Sequence, residues 1–363
     1  MLFTFITDPL TAIYGAVKPP VIMGKELKNM GHEVSFVSTY ISEEVKEELD
    51  WADFELIKQK VGLGYSLFHS LPILRDWMKS MIFPYKVEVK GDVVINSSSS
   101  ILANSTVYYG QGQITKALDD IVNAKDFPLK YKVIYKTFDP AFRRMEKKHV
   151  HRVRENSKFF ITNSNYSKTL YESWGIKVDN VIYPPLDDSL FRPTKNPEGD
   201  YVLTYVGVEG KETDFEVLKL LSKAGVKIKA FGRVKRKMEN VEFLGFVEEK
   251  ELVDLYANAL FTLVLFNHEP FGYVPVESMA CGTPVLTYSK QGPAETVCED
   301  CGWLVNGRNE IVKKAIEIWE NGYNPEMRKN AVIRAKRYSK DVIIKKWLDL
   351  IMEEEKKDKS IVR

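Results

Sequence analysis

His268-Glu269-Pro270-Phe271-Gly272-Tyr273-Val274-Pro275-Val276-Glu277-Ser278-Met279-Ala280-Cys281-Gly282-Thr283-Pro284-Val285 is the most informative stretch of this chain. Ahead of it stands Leu260-Phe261-Thr262-Leu263-Val264-Leu265-Phe266, an apolar run too short to span a membrane and suited to a buried parallel strand. The pattern predicts a turn at Gly272, a helix starting near Val274, and its end at Gly282, the residue type that most often closes a helix. Thr283-Pro284-Val285-Leu286-Thr287 begins the next strand. Glu269 and Glu277 then flank a helix N-terminus at the carboxyl edge of a parallel sheet, where open α/β sheets bind ligands.

Those residue types suit a nucleotide-linked sugar. The amides of Phe271, Gly272, Tyr273 and Val274 fall in the first turn and lack intrahelical partners, so they can donate to hydroxyl or phosphate oxygens. Gly272 has no Cβ and lets a ligand approach the backbone. A carboxylate accepts two hydrogen bonds and fits a vicinal diol. Glu269 in the loop and Glu277 on the helix can therefore grip two diols at opposite ends of an activated sugar, with His268 beside them. The plainer reading is two solvated surface charges.

To either side, strand-like and helix-like segments alternate, the pattern of parallel sheets with crossover helices. Residues 1–7, 33–38, 92–96, 105–109, 158–162 and 179–182 read as strands, with amphipathic stretches such as 17–30 and 141–156 between them. A second series follows at 201–206, 226–231, 241–243, 260–266 and 284–287. Pro184-Pro185, Pro193 and Asn196-Pro197-Glu198-Gly199 form a polar, aperiodic connection that marks a domain boundary. From 324 onward the chain reads as helical, broken near Ser339.

The pattern Glu269-x-Phe271-Gly272-x4-Glu277, followed by Ala280-Cys281-Gly282-Thr283-Pro284-Val285, closely resembles the donor-site signature of family 4 retaining glycosyltransferases. Asn240 to Val247, Gly292-Pro293-Ala294-Glu295, Ile161 to Ser164, Val181 to Asp187 and Gly31-His32-Glu33-Val34 also look like segments of that family. The resemblance implies the α/β GT-B fold: two Rossmann-like domains facing each other across a cleft, with a C-terminal helix returning to the first. It further implies an acceptor domain over 1–185, a nucleotide-sugar donor domain over 186–335, and a closing helix over 336–363 whose Trp347 and Leu350 pack on the first domain. The implied activity is metal-independent retaining transfer of a hexose, without a cofactor. The donor is a nucleoside diphosphate sugar of UDP or GDP type, and the acceptor a glycan, lipid-linked or other hydroxyl.

Tyr201 to Gly207 reads as the first strand of the second domain, ending at a glycine. The family places an Arg after that glycine and a Lys about five residues on, together neutralising the donor diphosphate. This chain has Val208 at the first place, and Lys211 lies close to the second. A leaving diphosphate needs a cation or equivalent donors, so Lys211, then Arg233, are the candidates, with Glu269 completing the catalytic set. Gly15, in Ile13-Tyr14-Gly15-Ala16, is a candidate phosphate contact or a simple turn. The family's first-domain His has no match at Val107 to Gly112; Gln111 or backbone groups take its place.

Composition sets outer limits. The 363 residues are 44% apolar and 28% charged with net charge +2, as in a soluble two-domain protein with no global attraction to nucleic acid. The N-terminus reads as a strand rather than a signal peptide, and a cytoplasmic location is expected. Arg143, Arg144, Lys147, Lys148, His149, His151, Arg152 and Arg154 make the helix 141–155 basic. That helix offers a peripheral contact to an anionic inner membrane face, or a solvated surface paired with Glu146 and Glu155. Phe68 to Met78 is core or an acceptor lip. The three cysteines, Cys281, Cys298 and Cys301, argue against a disulfide framework, and Cys298-x-x-Cys301 reads as a turn with two free thiols unless the source is a thermophile. Two alternatives to a transferase stand: another GT-B enzyme such as a nucleotide-sugar 2-epimerase, or a non-catalytic sugar-nucleotide binding protein. No Gly-x-Gly-x-x-Gly follows a strand, which disfavours a nicotinamide dehydrogenase.

Overall fold

The computed structural model describes residues 1–13, 15–57, 86–123, 129–194, 197–207 and 211–361. Tyr14, the Phe68 to Met78 stretch, Asn196 and Val208 lie outside the described residues. The chain divides into two compact units. One comprises Met1–Thr115, Phe138–Pro185 and Ile343–Arg363; the other comprises Lys116–Thr137 and Leu186–Val342. The division differs from a continuous 1–185 segment because 116–137 makes its contacts within the second unit.

The first unit contains β1 (Leu2–Ile6), β2 (Glu33–Ser38), β3 (Asp53–Leu56), β4 (Lys86–Val87), β5 (Val93–Asn96), β6 (Leu102–Ala103), β7 (Ser105–Gly110), β8 (Ser157–Thr162) and β9 (Asn180–Val181). Among the described residues, seven of these form one sheet in the order β3-β2-β1-β5-β7-β8-β9, every pair parallel, while β4 pairs with β6. All four residues of β5 are buried, as expected of a central strand covered on both faces. Phe3, Phe5, Phe36, Ile95, Val107 and Ile161 build the core on one face.

The closing helix Lys340–Ile361 supplies Ile343, Ile344, Trp347 and Ile351 to that same core, a stripe at helical spacing. Trp347 is 2% exposed and meets Tyr109 edge-on at 5.1 Å.

The second unit contains β10 (Val202–Val206), β11 (Ile228–Gly232), β12 (Val241–Gly245), β13 (Phe261–Val264), β14 (Val285–Tyr288) and β15 (Gly302–Val305). These form a parallel sheet in the order β12-β11-β10-β13-β14-β15. Helix Phe215–Lys223 buries Val217, Leu218 and Leu221 in the core, and helix Arg308–Asn321 buries Ile311, Ala315 and Ile318. β3, β4, β6 and β15 have no counterpart in the sequence reading. β3 carries two exposed acids on an edge, and β15 opens with a glycine, so neither shows the expected pattern.

Two corrections concern polar side chains. Cys298 and Cys301 are disulfide-bonded rather than free, because the turn between them brings their Cα atoms to 5.2 Å, within the range a disulfide spans. Cys281 is buried and free. Glu146 is no surface ion-pair partner: it is 4% exposed and caps helix Ile114–Val122 by accepting from the Ile114 amide at 2.6 Å and the Thr115 amide at 2.9 Å. The helix bearing it runs Leu129–Glu155 with Pro140 inside, and buries His149 on the side opposite its exposed lysines. No helix among the described residues is long and apolar enough to cross a membrane.

Candidate active site

In the second sheet the direction of strand addition reverses between β10 and β13, which are hydrogen-bonded neighbours. Loops leaving the carboxyl ends of such a pair open a crevice, since the following helices cross to opposite faces. The loop after β10 carries Gly207 and Lys211; the loop after β13 carries His268 through Gly272. They are laced together: the Asn267 amide donates to the Lys211 carbonyl at 2.6 Å. The Gly207 amide donates to Thr213 Oγ1 at 3.0 Å.

The helix expected near Val274 spans Tyr273–Ala280, with Gly272 ahead of it at φ 99°. That left-handed conformation is where an L side chain is strained and glycine is not. Gly282, at φ 79°, closes the helix, its amide donating to Met279 O at 2.9 Å.

Two of the amides leading into the helix are less open than the sequence suggests. Glu269 Oε1 accepts from the Phe271 amide at 3.2 Å and the Gly272 amide at 3.0 Å. Glu269 therefore closes the turn that leads into the helix. Its Oε2 accepts no hydrogen bond among the described residues. The Glu269 amide donates to Gln291 Oε1 at 2.7 Å, and its carbonyl accepts from the Gly292 amide at 3.0 Å. Burial raises the Glu269 pKa above the usual value, against the lowering effect of the nearby Lys211 charge, the Phe271 amide and His268.

Glu277 is 5% exposed, which excludes a solvated surface charge. Its Oε2 accepts from the Tyr256 hydroxyl at 3.3 Å. Phe271 is buried between Tyr273 and Tyr338, at ring separations of 5.4 and 5.6 Å, and Tyr273 and Val274 are half-buried.

The cations are placed unequally. Lys211 is half-buried and acts electrostatically on Glu269, but its Nζ is also 2.9 Å from Glu212 Oε1. Glu212 fills the space over Gly207, where a Cβ would lie 1.9 Å from its Oε2. Arg233 is exposed; its amide donates to the Val206 carbonyl at 3.0 Å, which sets it beside the end of β10. Gly15 belongs to the first unit, in a short turn with φ 55°, and Gln111 Nε2 donates to the neighbouring Ala16 carbonyl at 2.8 Å.

Two participants carry no sequence signal. Gln291 sits at φ 58° and bridges the site: Nε2 donates to Asp120 Oδ2 at 3.1 Å and to the Asn267 carbonyl at 3.0 Å, while Oε1 holds the Glu269 amide. Asp120 accepts from His268 Nδ1 at 2.9 Å and is paired with Lys116. Burial works to raise its pKa, but the His268 and Lys116 hydrogen bonds outweigh burial and hold it below the usual value. Asp120 stands 148 positions from His268. Among the described residues, no group of three or more His, Cys, Asp or Glu could hold a metal ion.

Comparison with known proteins adds family context. Residues 234–338 match the family described as Glycosyl transferases group 1. The alpha-1,3/1,6-mannosyltransferase ALG2 of Yarrowia lipolytica is 34% identical over 95 residues, 25% of this chain and 20% of that protein. A probable sucrose-phosphate synthase of Thermosipho melanesiensis is 31% identical over 126 residues, 33% of this chain and 29% of that protein. These matches cover under a third of either relative. Across the fold, the crystal structure of Anabaena Alr3699/HepE in complex with UDP and glucose superposes with a TM-score of 0.69 at 15% identity, covering 97% of this chain and 100% of that one.

Proposed function

We propose that this chain, whose residues 234–338 match the glycosyl transferases group 1 family and whose fold is GT-B, moves a hexose from a nucleoside diphosphate sugar to a hydroxyl acceptor with retention of configuration. The observation that carries the reading is the pair of glutamates, Glu277 buried and Glu269 half-buried, bracketing one helix N-terminus beside the β10/β13 switch point. Glu277 binds the ribose diol. Glu269 uses Oε1 to hold the helix turn and offers Oε2 to the hexose. That division turns a flexible carboxylate into a fixed acceptor, so less order has to be imposed when the sugar arrives.

The diphosphate is met by Lys211, with Arg233 at the loop edge. As the hexose departs, charge grows on the diphosphate, and a fixed cation stabilises that state more than the ground state. Glu212 keeps Lys211 in place and offsets part of its charge until the anion binds. Donors of UDP or GDP type are the first to test, with a glycan or lipid-linked hydroxyl as acceptor.

The test is a thermal-shift panel of uridine, guanosine and adenosine diphosphate sugars with wild type and Glu277→Ala. A ligand that binds only the folded state raises the melting temperature by mass action. One donor class should raise it clearly, and Glu277→Ala should weaken that binding by about 1–3 kcal/mol, the loss of charge-assisted bonds to a diol. Equal nucleotide affinity in the variant contradicts the ribose assignment.

A further inference from the structure

His268 is 6% exposed, and one bond from its ring is defined: Nδ1 to Asp120 Oδ2 at 2.9 Å. Asp120 is held as an acceptor from two other sides, by Lys116 Nζ on Oδ1 and by Gln291 Nε2 on Oδ2 at 3.1 Å. A carboxylate surrounded by three donors carries no proton, so the proton of this bond resides on Nδ1. In a neutral imidazole the lone pair then lies on Nε2. Nε2 makes no hydrogen bond among the described residues. The next residue in the chain is Glu269, whose Oε2 is also open.

We propose that Asp120 is a positioning residue for hexose transfer: its carboxylate fixes His268 in the Nδ1–H tautomer, so that Nε2 accepts a hydrogen bond from a hydroxyl of the donor hexose. The proposal rests on the transfer reading above. His268 and Glu269 then present two adjacent acceptors, Nε2 and Oε2. A sugar face with two hydroxyls matches that pair, whereas a phosphate, which has only acceptors at neutral pH, does not. No bond to His268 forms or breaks; the ring orients the sugar.

The charged groups around the ring are Asp120 and Lys116 from helix Ile114–Val122, Lys290 from the loop after β14, Glu269 beside it in sequence, and Lys211 with Glu212 from the loop after β10.

The experiment uses the full chain as wild type, Asp120→Asn, Asp120→Glu and His268→Gln. Donor hydrolysis without acceptor is followed with UDP-glucose and GDP-mannose, together with long-range ¹H–¹⁵N spectra of the imidazoles. The His268 signals are those lost in His268→Gln. The wild type should show protonated Nδ1 and bare Nε2 at neutral pH. Asp120→Asn should lose that preference and lower kcat by about tenfold or more; Asp120→Glu should restore part of the rate. A wild-type ring protonated on Nε2 overturns the proposal. So does an Asp120→Asn enzyme whose kcat is unchanged. If the wild type turns over no donor in the uridine, guanosine and adenosine series, the transfer reading fails, and the nitrogen spectrum still decides the tautomer by itself.

Discussion

Glu269 divides its two carboxylate oxygens, one holding the local turn and the other left open among the described residues. It is buried enough for its pKa to rise, yet it spends one oxygen on the Phe271 and Gly272 amides. With the native pKa above the unfolded one, the native state binds a proton more readily than the unfolded chain. The stability this residue contributes is full below the ordinary carboxylate value and is lost as pH rises through the raised native value. Glu269→Gln keeps the acceptor for both amides and removes the charge. Its melting temperature should exceed that of wild type at pH 8 by a margin that shrinks toward pH 4, while turnover falls; calorimetry across that range checks it, and a pH-independent margin refutes it. The cations give a second prediction. Lys211→Ala should lower turnover about 10²-fold, as when one donor of a preorganised anion site is lost, and Arg233→Ala should do less because it is exposed. Steady-state kinetics with one donor decide it, and intact activity in Lys211→Ala with loss in Arg233→Ala moves the role to Arg233. The placement of both glutamates around a helix start was legible because they sit at fixed spacing around the glycine ahead of it. Asp120 and Gln291 were not, since an Asp at the end of a helical segment and a Gln in a loop are common, and only the fold brings them to His268 and Glu269.

The strand-loop-helix element around β13 depends on a second loop for its shape. A Cβ on Gly292 would come within 2.4 Å of the Phe271 Cα and the Pro270 carbonyl, and 2.5 Å of the Phe271 amide nitrogen. These are backbone atoms that cannot swing aside, so the two loops touch only because residue 292 has no side chain. Gly292→Ala should cost about 1–3 kcal/mol of stability, the usual range for overpacking. It should also lower activity beyond that loss by displacing the Pro270–Phe271 turn that carries Glu269. Chemical denaturation paired with kinetics separates the two effects; a variant with wild-type stability and turnover would show that the loops yield. The main strands of both sheets were readable from apolar runs ending in turns, as at Glu33–Ser38, Val93–Asn96 and Phe261–Val264. β15 was missed because Gly302-Trp303-Leu304-Val305 follows directly on the Cys298–Cys301 turn, which hides its start. The amides of Phe271 and Gly272 were misread as open because an acceptor supplied by the preceding loop cannot be told from a ligand's place by sequence alone.

For the molecule as a whole, the two parallel sheets follow from one alternating pattern repeated on either side of the Pro-rich connection. The sequence does not say that 116–137 makes its contacts within the second unit, because nothing local separates it from the neighbouring helical segments. The closing helix is clearer: Ile343, Ile344, Trp347 and Ile351 repeat at helical spacing and enter the core around Phe3 and Phe36. The account stands on transfer of a hexose, with retention, from a nucleoside diphosphate sugar held by Glu269 and Glu277. Anomer-resolved ¹H NMR tests this directly, by following UDP-glucose or GDP-mannose, both α-linked, with the full chain and recording the first sugar released to water or to an added glycan. The account predicts that one donor yields its nucleoside diphosphate with the α-anomer formed first, and that Glu269→Ala slows the release. A β-anomer formed first, or no turnover of any donor in the uridine, guanosine and adenosine series, would contradict it.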